Sequence, residues 1–159
     1  MIFLLLKIEI TCSRGYGVCL VEYRRVGHDG GGWPGTNDDI ANAMKKLEDV
    51  LQNEKEISSA EHSDSDSTQQ KVILLGHSAG GTLALWIACK SSMLGDIVPI
   101  TLCVAVAPIG NLEEGSRRRL SDDGDAIDLY MGCVPIGTSN LGTETCPYRY
   151  HQISDVIHV

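Results

Sequence analysis

Gly76-His77-Ser78-Ala79-Gly80 sets one hydroxyl between two glycines at a fixed spacing. The aliphatic run Val72–Leu75 comes directly before it, and the apolar run Leu83–Cys89 follows. That order spells a buried strand, a sharp turn and a buried helix, the arrangement that turns a serine into an exposed nucleophile. The chemistry would be attack on an acyl carbonyl. Ser78 must adopt strained backbone angles so that its hydroxyl stands clear of the sheet. Gly76 and Gly80 carry no Cβ, so strand and helix can pass close to the turn. The Ala79 N–H then lies in the first helical turn, where unpaired amides and the positive dipole end favour an oxyanion. His77 is adjacent, but a general base must reach Oγ at hydrogen-bond distance, and a neighbour on a tight turn points elsewhere. His77 therefore reads as a packing or turn-supporting residue.

Other elements must position that turn. Val18–Tyr23 is β-rich and reads as a buried strand with a polar end. Residues 2–10 read as a strand or as a start outside the core; too few residues separate them from 18–23 for a parallel crossover. Gly27–Gly35 is an irregular loop, in which Trp33 reads as a loop anchor rather than as a pocket wall. Thr36-x-x-Asp39 resembles a capping box with Asp in place of Glu and opens a helix. Its apolar stripe is Ile40, Ala43, Met44, Leu47, Val50 and Leu51. Residues 52–70 are acidic and serine-rich and read as a flexible loop. His62, Asp64 and Asp66 lack a metal-ligand spacing there, and no metal or cofactor is expected. Pro99–Ala107 is a further buried β run ending at Pro108. Strand, helix, strand, helix, strand thus alternate from 18 to 107, which predicts a parallel sheet with helices on both faces, a three-layer α/β/α sandwich. Residues 111–132 read as one or two short helices anchored by Ile127, Leu129 and Tyr130. Turn residues dominate from Cys133 until Val156-Ile157.

The chain has 159 residues, 43% of them hydrophobic, enough for the core of one domain. Thirteen basic against twenty-one acidic residues leave a net charge of −8. The one basic cluster, Arg117-Arg118-Arg119, reads as a solvated helix end, so nucleic acid is not expected as a partner. The six cysteines form no Cys-x-x-Cys, and no cysteine/histidine spacing suggests zinc. Cys89 and Cys103 lie in core-like runs and read as small apolar residues. Reduced thiols point to a cytoplasmic setting. Met1–Leu6 is too short for a signal peptide or a membrane span, so no membrane is expected either.

Three stretches together resemble one branch of the α/β-hydrolase superfamily: Val21–Gly27, Gly31–Thr36 and Gly76–Gly81. The branch is the esterase, kynurenine formamidase-like and prolyl oligopeptidase-like group. The resemblance continues at Ala107-Pro108-Ile109, Leu112, Asp125–Gly132 and Tyr150–Ser154, and spans roughly residues 15–154. It implies a serine nucleophile that cleaves an ester or amide of a small molecule through an acyl-enzyme, with Ser78 as nucleophile and Ala79 as backbone oxyanion donor. The family's His-Gly-Gly segment, which supplies the second oxyanion donor, has no counterpart before Gly15. Its acid and histidine follow the serine in order. His151 and His158 are the histidines after Ser78, and neither they nor Asp155 sit in a matching loop, so neither base nor acid is assigned.

Two expectations follow. Residues 1–159 are a single, incomplete α/β-hydrolase domain whose chemistry belongs to Ser78. Alternatively, the chain is a triad-less binding or scaffold protein, because a serine without a base is a poor nucleophile. A third arrangement has His151 or His158 fold back to Ser78 as a substitute base. Sheet edges left open at 18–23 and 100–107 predict self-association.

Overall fold

A computed structural model describes residues 17–61, 71–90, 98, 100–121 and 123–132, the side chains of 54–61 excepted. In chain order these form α1 (Gly35–Glu61), β1 (Val72–His77), α2 (Ala79–Lys90), β2 (Ile100–Val106), α3 (Leu112–Arg117) and α4 (Ala126–Met131). The expected elements at 2–10, 62–70 and 133–159 lie outside the described residues.

The two strands pair in parallel, with Gly76 opposite Ala105 and His77 opposite Val106. Helix α2 is the crossover that a parallel pair requires, and it lies against both strands. These helices around a two-stranded parallel sheet make the chain α/β. Leu83 and Ile87 of α2 join Ile40 and Met44 of α1 and Val98 in the main core, with Val72, Leu74 and Ile100 against them. A second cluster holds Leu112, Ile127 and Met131, with Trp33, Trp86, Ile109 and Tyr130 packed around it. Thr82 ties α2 to the chain beyond β2: its hydroxyl donates to Ile109 O at 3.1 Å and accepts from Ile109 N at 3.0 Å. Among the described residues no helix is long and apolar enough to cross a membrane.

Several expectations are corrected. The strands are not buried on both faces. Side chains alternate across a strand, and α2 takes one face. The other presents Ile73, Leu75, Leu102, Val104 and Val106, the least exposed at 36% and the most at 56%. Residues 18–23 are not a strand. Leu20 is 58% exposed, whereas Val21 and Tyr23 pack against the main core. β-propensity there yields to context: the polar end of the segment is captured by α1, whose Asp39 Oδ2 accepts from Arg24 N at 2.9 Å.

That contact also replaces the capping box. Asp39 turns away from its own helix end and pairs with the Arg24 guanidinium at 2.8 and 2.9 Å. Thr36, buried, donates its hydroxyl to Arg24 O at 2.6 Å and accepts from Gly32 N at 3.0 Å. Helix α1 continues to Glu61, into the stretch expected to be a loop. Polar Glu, Lys and Gln are good helix formers, and extending an existing helix gains a hydrogen bond for each residue fixed. Of its stripe, Ile40 and Met44 are core, while Val50 is exposed.

Two short helices occupy 112–131, within the expected range. Asn111 caps α3, its Oδ1 accepting from Glu114 N at 2.9 Å. Ile127 and Tyr130 are anchors, but Leu129 is exposed and Leu112 and Met131 take its place. Arg117 and Arg118 lie exposed around Glu114, whose carboxylate both guanidinium groups contact.

Candidate active site at the strand–helix turn

β1 ends at His77 and α2 begins at Ala79, so Ser78 alone makes the turn. Its φ is +53°, in the left-handed region that costs a side chain about 1–2 kcal/mol. Two bonds hold it there. Ser78 N donates to Val106 O at 2.9 Å, which fixes the turn to the end of β2, and Thr82 N donates to Ser78 O at 3.1 Å, which starts the helix. Ala107, just after β2, is also left-handed, at φ +49°. The two strands thus leave the sheet side by side through strained residues.

The glycines of the motif divide differently from expectation. A Cβ on Gly76 would lie 2.1 Å from Gly80 O and 2.7 Å from Gly81 N, so the strand passes the helix there with no room for a side chain. Gly81 is also tight, with Val106 O, Gly76 O and Pro108 Cβ at 3.2–3.3 Å from an added Cβ. Gly80 is not. Among the described residues an added Cβ there would meet the Tyr23 hydroxyl, at 4.0 Å. The close approach is made by Gly76 and Gly81, because those positions of the turn face the sheet and Gly80 faces away.

Ser78 and Ala79 are exposed. Among the described residues the Ser78 hydroxyl has no hydrogen-bond partner, and the Ala79 N–H donates to no backbone carbonyl. A free hydroxyl on a fixed turn, beside an unused amide at a helix N-terminus, can attack a carbonyl carbon and receive the charge that develops on its oxygen. No carboxylate or imidazole among the described residues is bonded to Ser78, and His151, His158 and Asp155 lie outside them.

Aromatic side chains gather on the second core cluster, that of Leu112, Ile127 and Met131. The Trp33 and Trp86 rings meet edge to face, with centroids 6.3 Å apart and planes at 88°. Trp33 N donates to Tyr130 O at 2.7 Å, and the Trp33 side chain packs against the cluster of Leu112, Ile127 and Met131. The Tyr130 hydroxyl donates to Oδ1 of the buried Asn37, and burial raises its pKa. Tyr23, half-buried, is likewise raised, chiefly by desolvation. Sequence reasoning placed Tyr23 at the end of a strand and within the Val21–Gly27 stretch of the resemblance, and gave it no role of its own.

Cys89 and Cys103 are half-buried thiols outside any disulfide, their pKa values raised by desolvation, and Cys19 is an exposed thiol, likewise in no disulfide. Among the described residues no group of His, Cys, Asp and Glu could hold a metal ion. His62, Asp64 and Asp66 lie outside the described residues. The chain matches no family model, no curated protein and no solved structure.

Proposed function

We propose that the chain is a serine hydrolase of the α/β-hydrolase fold, a three-layer sandwich with a mostly parallel sheet, cleaving an ester or amide bond of a small molecule. The observation that carries this reading is Ser78 at φ +53° between a parallel strand and its crossover helix, with Gly76 too close to the helix for any side chain. An idle serine has no need of a strained and exposed turn. In the reaction, Ser78 Oγ attacks the acyl carbon and its proton passes to a base. The Ala79 N–H stabilises the oxyanion, and the alcohol or amine leaves with a proton. Water then releases the acid from the acyl-enzyme.

A second reading is favoured by one observation: no described base is bonded to the Ser78 hydroxyl. On that reading the chain is a non-catalytic binding or scaffold protein. Fluorophosphonate labelling of the purified chain separates the two, with Ser78→Ala as control and mass spectrometry to place the adduct. An adduct on Ser78 supports the hydrolase, and His151 and His158 are then the first positions to test for the base. A folded chain that takes no label supports the scaffold. Either way the open sheet face of Ile73, Leu75, Leu102, Val104 and Val106 favours self-association of the isolated chain. A monomeric, monodisperse sample in light scattering would contradict that.

A further inference from the structure

We propose that Ser121 is a phosphorylation site, the acceptor hydroxyl for a serine kinase that reads arginines before its target and takes the phosphoryl group from ATP. The inference is independent of the hydrolase reading.

It begins with the arginine run. Arg117, Arg118 and Arg119 stand four, three and two positions before Ser121. No other serine or threonine of the chain has an arginine two or three positions before it. Kinases choose substrates by the pattern of charge along the peptide. Guanidinium groups at fixed offsets suit a groove lined by carboxylates, which they bind through paired, charge-assisted hydrogen bonds.

The structure leaves this run accessible. Helix α3 ends at Arg117, and residues 117–121 are all exposed. Arg117 and Arg118 share the Glu114 carboxylate. Pairs so exposed contribute about 0–1 kcal/mol, so another carboxylate can replace Glu114 at little cost. Arg119 is not engaged in this way. Among the described residues its guanidinium has no hydrogen bond or ion pair. Its side chain lies over the turn that Ser121 opens: a Cβ added to Gly124 would fall 2.9 Å from Arg119 Cβ and 3.1 Å from its Nε. A phosphate on Ser121, with a charge of about −2, thus has an unused guanidinium two residues away in the same turn.

The backbone here also opens easily. Arg119 and Ser121 hold left-handed φ values of +52° and +123°. Each such residue costs about 1–3 kcal/mol. Among the described residues one backbone bond closes the turn, from Gly124 N to Ser121 O at 3.3 Å. α3 has six residues, too few for a helix to be stable alone. Extending the segment into a peptide groove therefore relieves two strained residues and breaks few bonds.

In the step, Ser121 Oγ attacks the γ-phosphorus of ATP. The Oγ–P bond forms as the bond from that phosphorus to the bridging oxygen breaks. ADP leaves with that electron pair, and the hydroxyl proton passes to a carboxylate of the kinase.

The test incubates the full 159-residue chain with magnesium, ATP and the catalytic subunit of cyclic-AMP-dependent protein kinase, and maps the phosphate by mass spectrometry. Ser121→Gly and Arg119→Gly are run beside it, with the peptide of residues 115–125 as reference. Glycine is at ease at both left-handed positions, so both variants should fold and melt no lower than the unaltered chain. Phosphate is expected on Ser121 of the unaltered chain and is lost in Ser121→Gly. In Arg119→Gly kcat/KM for phosphorylation should fall about 10-fold, the worth of one hydrogen bond to a charged group. A folded chain that takes no phosphate on Ser121 overturns the proposal, whether or not the peptide takes it. So does equal incorporation into Ser121→Gly, or an unchanged rate in Arg119→Gly.

Discussion

Two glycine-rich turns lie on either side of α1, and they use their glycines in opposite ways. In Gly27–Gly35 the backbone closes on itself and on its neighbours. His28 N donates to Arg25 O, Gly31 N to His28 O, and Trp33 N to Tyr130 O. Thr36 closes the loop by bonding both Gly32 and Arg24, and Asp39 closes it on the Arg24 side. In Gly76–Gly81 the glycines compress the path between strand and helix but leave polar groups open, the Ser78 hydroxyl and the Ala79 amide among them. One turn uses the N–H groups of His28, Gly31, Gly32 and Trp33 to hold a loop in place. The other holds its shape through β2 and α2, and among the described residues the Ser78 hydroxyl stays unbonded. Glycine content alone does not distinguish an anchor from a site; the fate of the polar groups does.

The contrast can be broken most severely at Gly76. Gly76→Ala sets a methyl against Gly80 O and is expected to cost about 3 kcal/mol or more, since neither backbone can give way without opening the turn. Chemical denaturation measures it, and an unchanged midpoint would mean that the strand and helix are not held so close. The anchor turn is tested at Thr36. Thr36→Val preserves shape but strands the buried Gly32 N–H and the Arg24 carbonyl, at about 1–3 kcal/mol. It should leave labelling of Ser78 unchanged, because the loop it loosens is not the one that holds the serine.

The smaller effects sharpen the comparison. Ser78→Gly removes the left-handed penalty of about 1–2 kcal/mol, less the backbone entropy that glycine loses, and should raise stability by roughly 0.5–1 kcal/mol. The same variant takes no label. Stability lost at this position would instead show that the serine supports the fold. The anchor turn should also be the acid-sensitive one. The Arg24 guanidinium and backbone N–H hold the Asp39 carboxyl down to about 2. A depressed carboxylate contributes stability above its unfolded value of about 4, and that contribution fades as the pH falls towards 2. Glu114, held down to about 2 by Arg117 and Arg118, adds to the same slope. Asp39→Asn should therefore flatten, without abolishing, the loss of stability between pH 4 and pH 2. Both pairs are exposed, so the effect is modest and shrinks with added salt.

Local order could be read directly where it depends on neighbours in sequence. The aliphatic run 72–75, the turn at Ser78 and the apolar helix after it are set by residues a few positions apart, and Gly76 is required by a contact within that same stretch. The start of α1 and the two short helices of 112–131 are of the same kind.

Partners distant in the chain were decided elsewhere. Residues 18–23 have the composition of a strand, but Arg24 and Asp39, fifteen positions apart, draw that segment onto the end of α1 instead. Thr36 and Asp39 have the spacing of a helix cap and serve as a clamp on another segment. Gly80 resembles Gly76 in the motif, and only the three-dimensional path shows that one is tight and the other faces open space and Tyr23. The physical reason is common to all three. Spacing along the chain fixes which groups a residue can meet within a turn or two of helix. Which of its unsatisfied donors and acceptors are taken by distant segments, and which are left for a ligand, is set only when those segments pack.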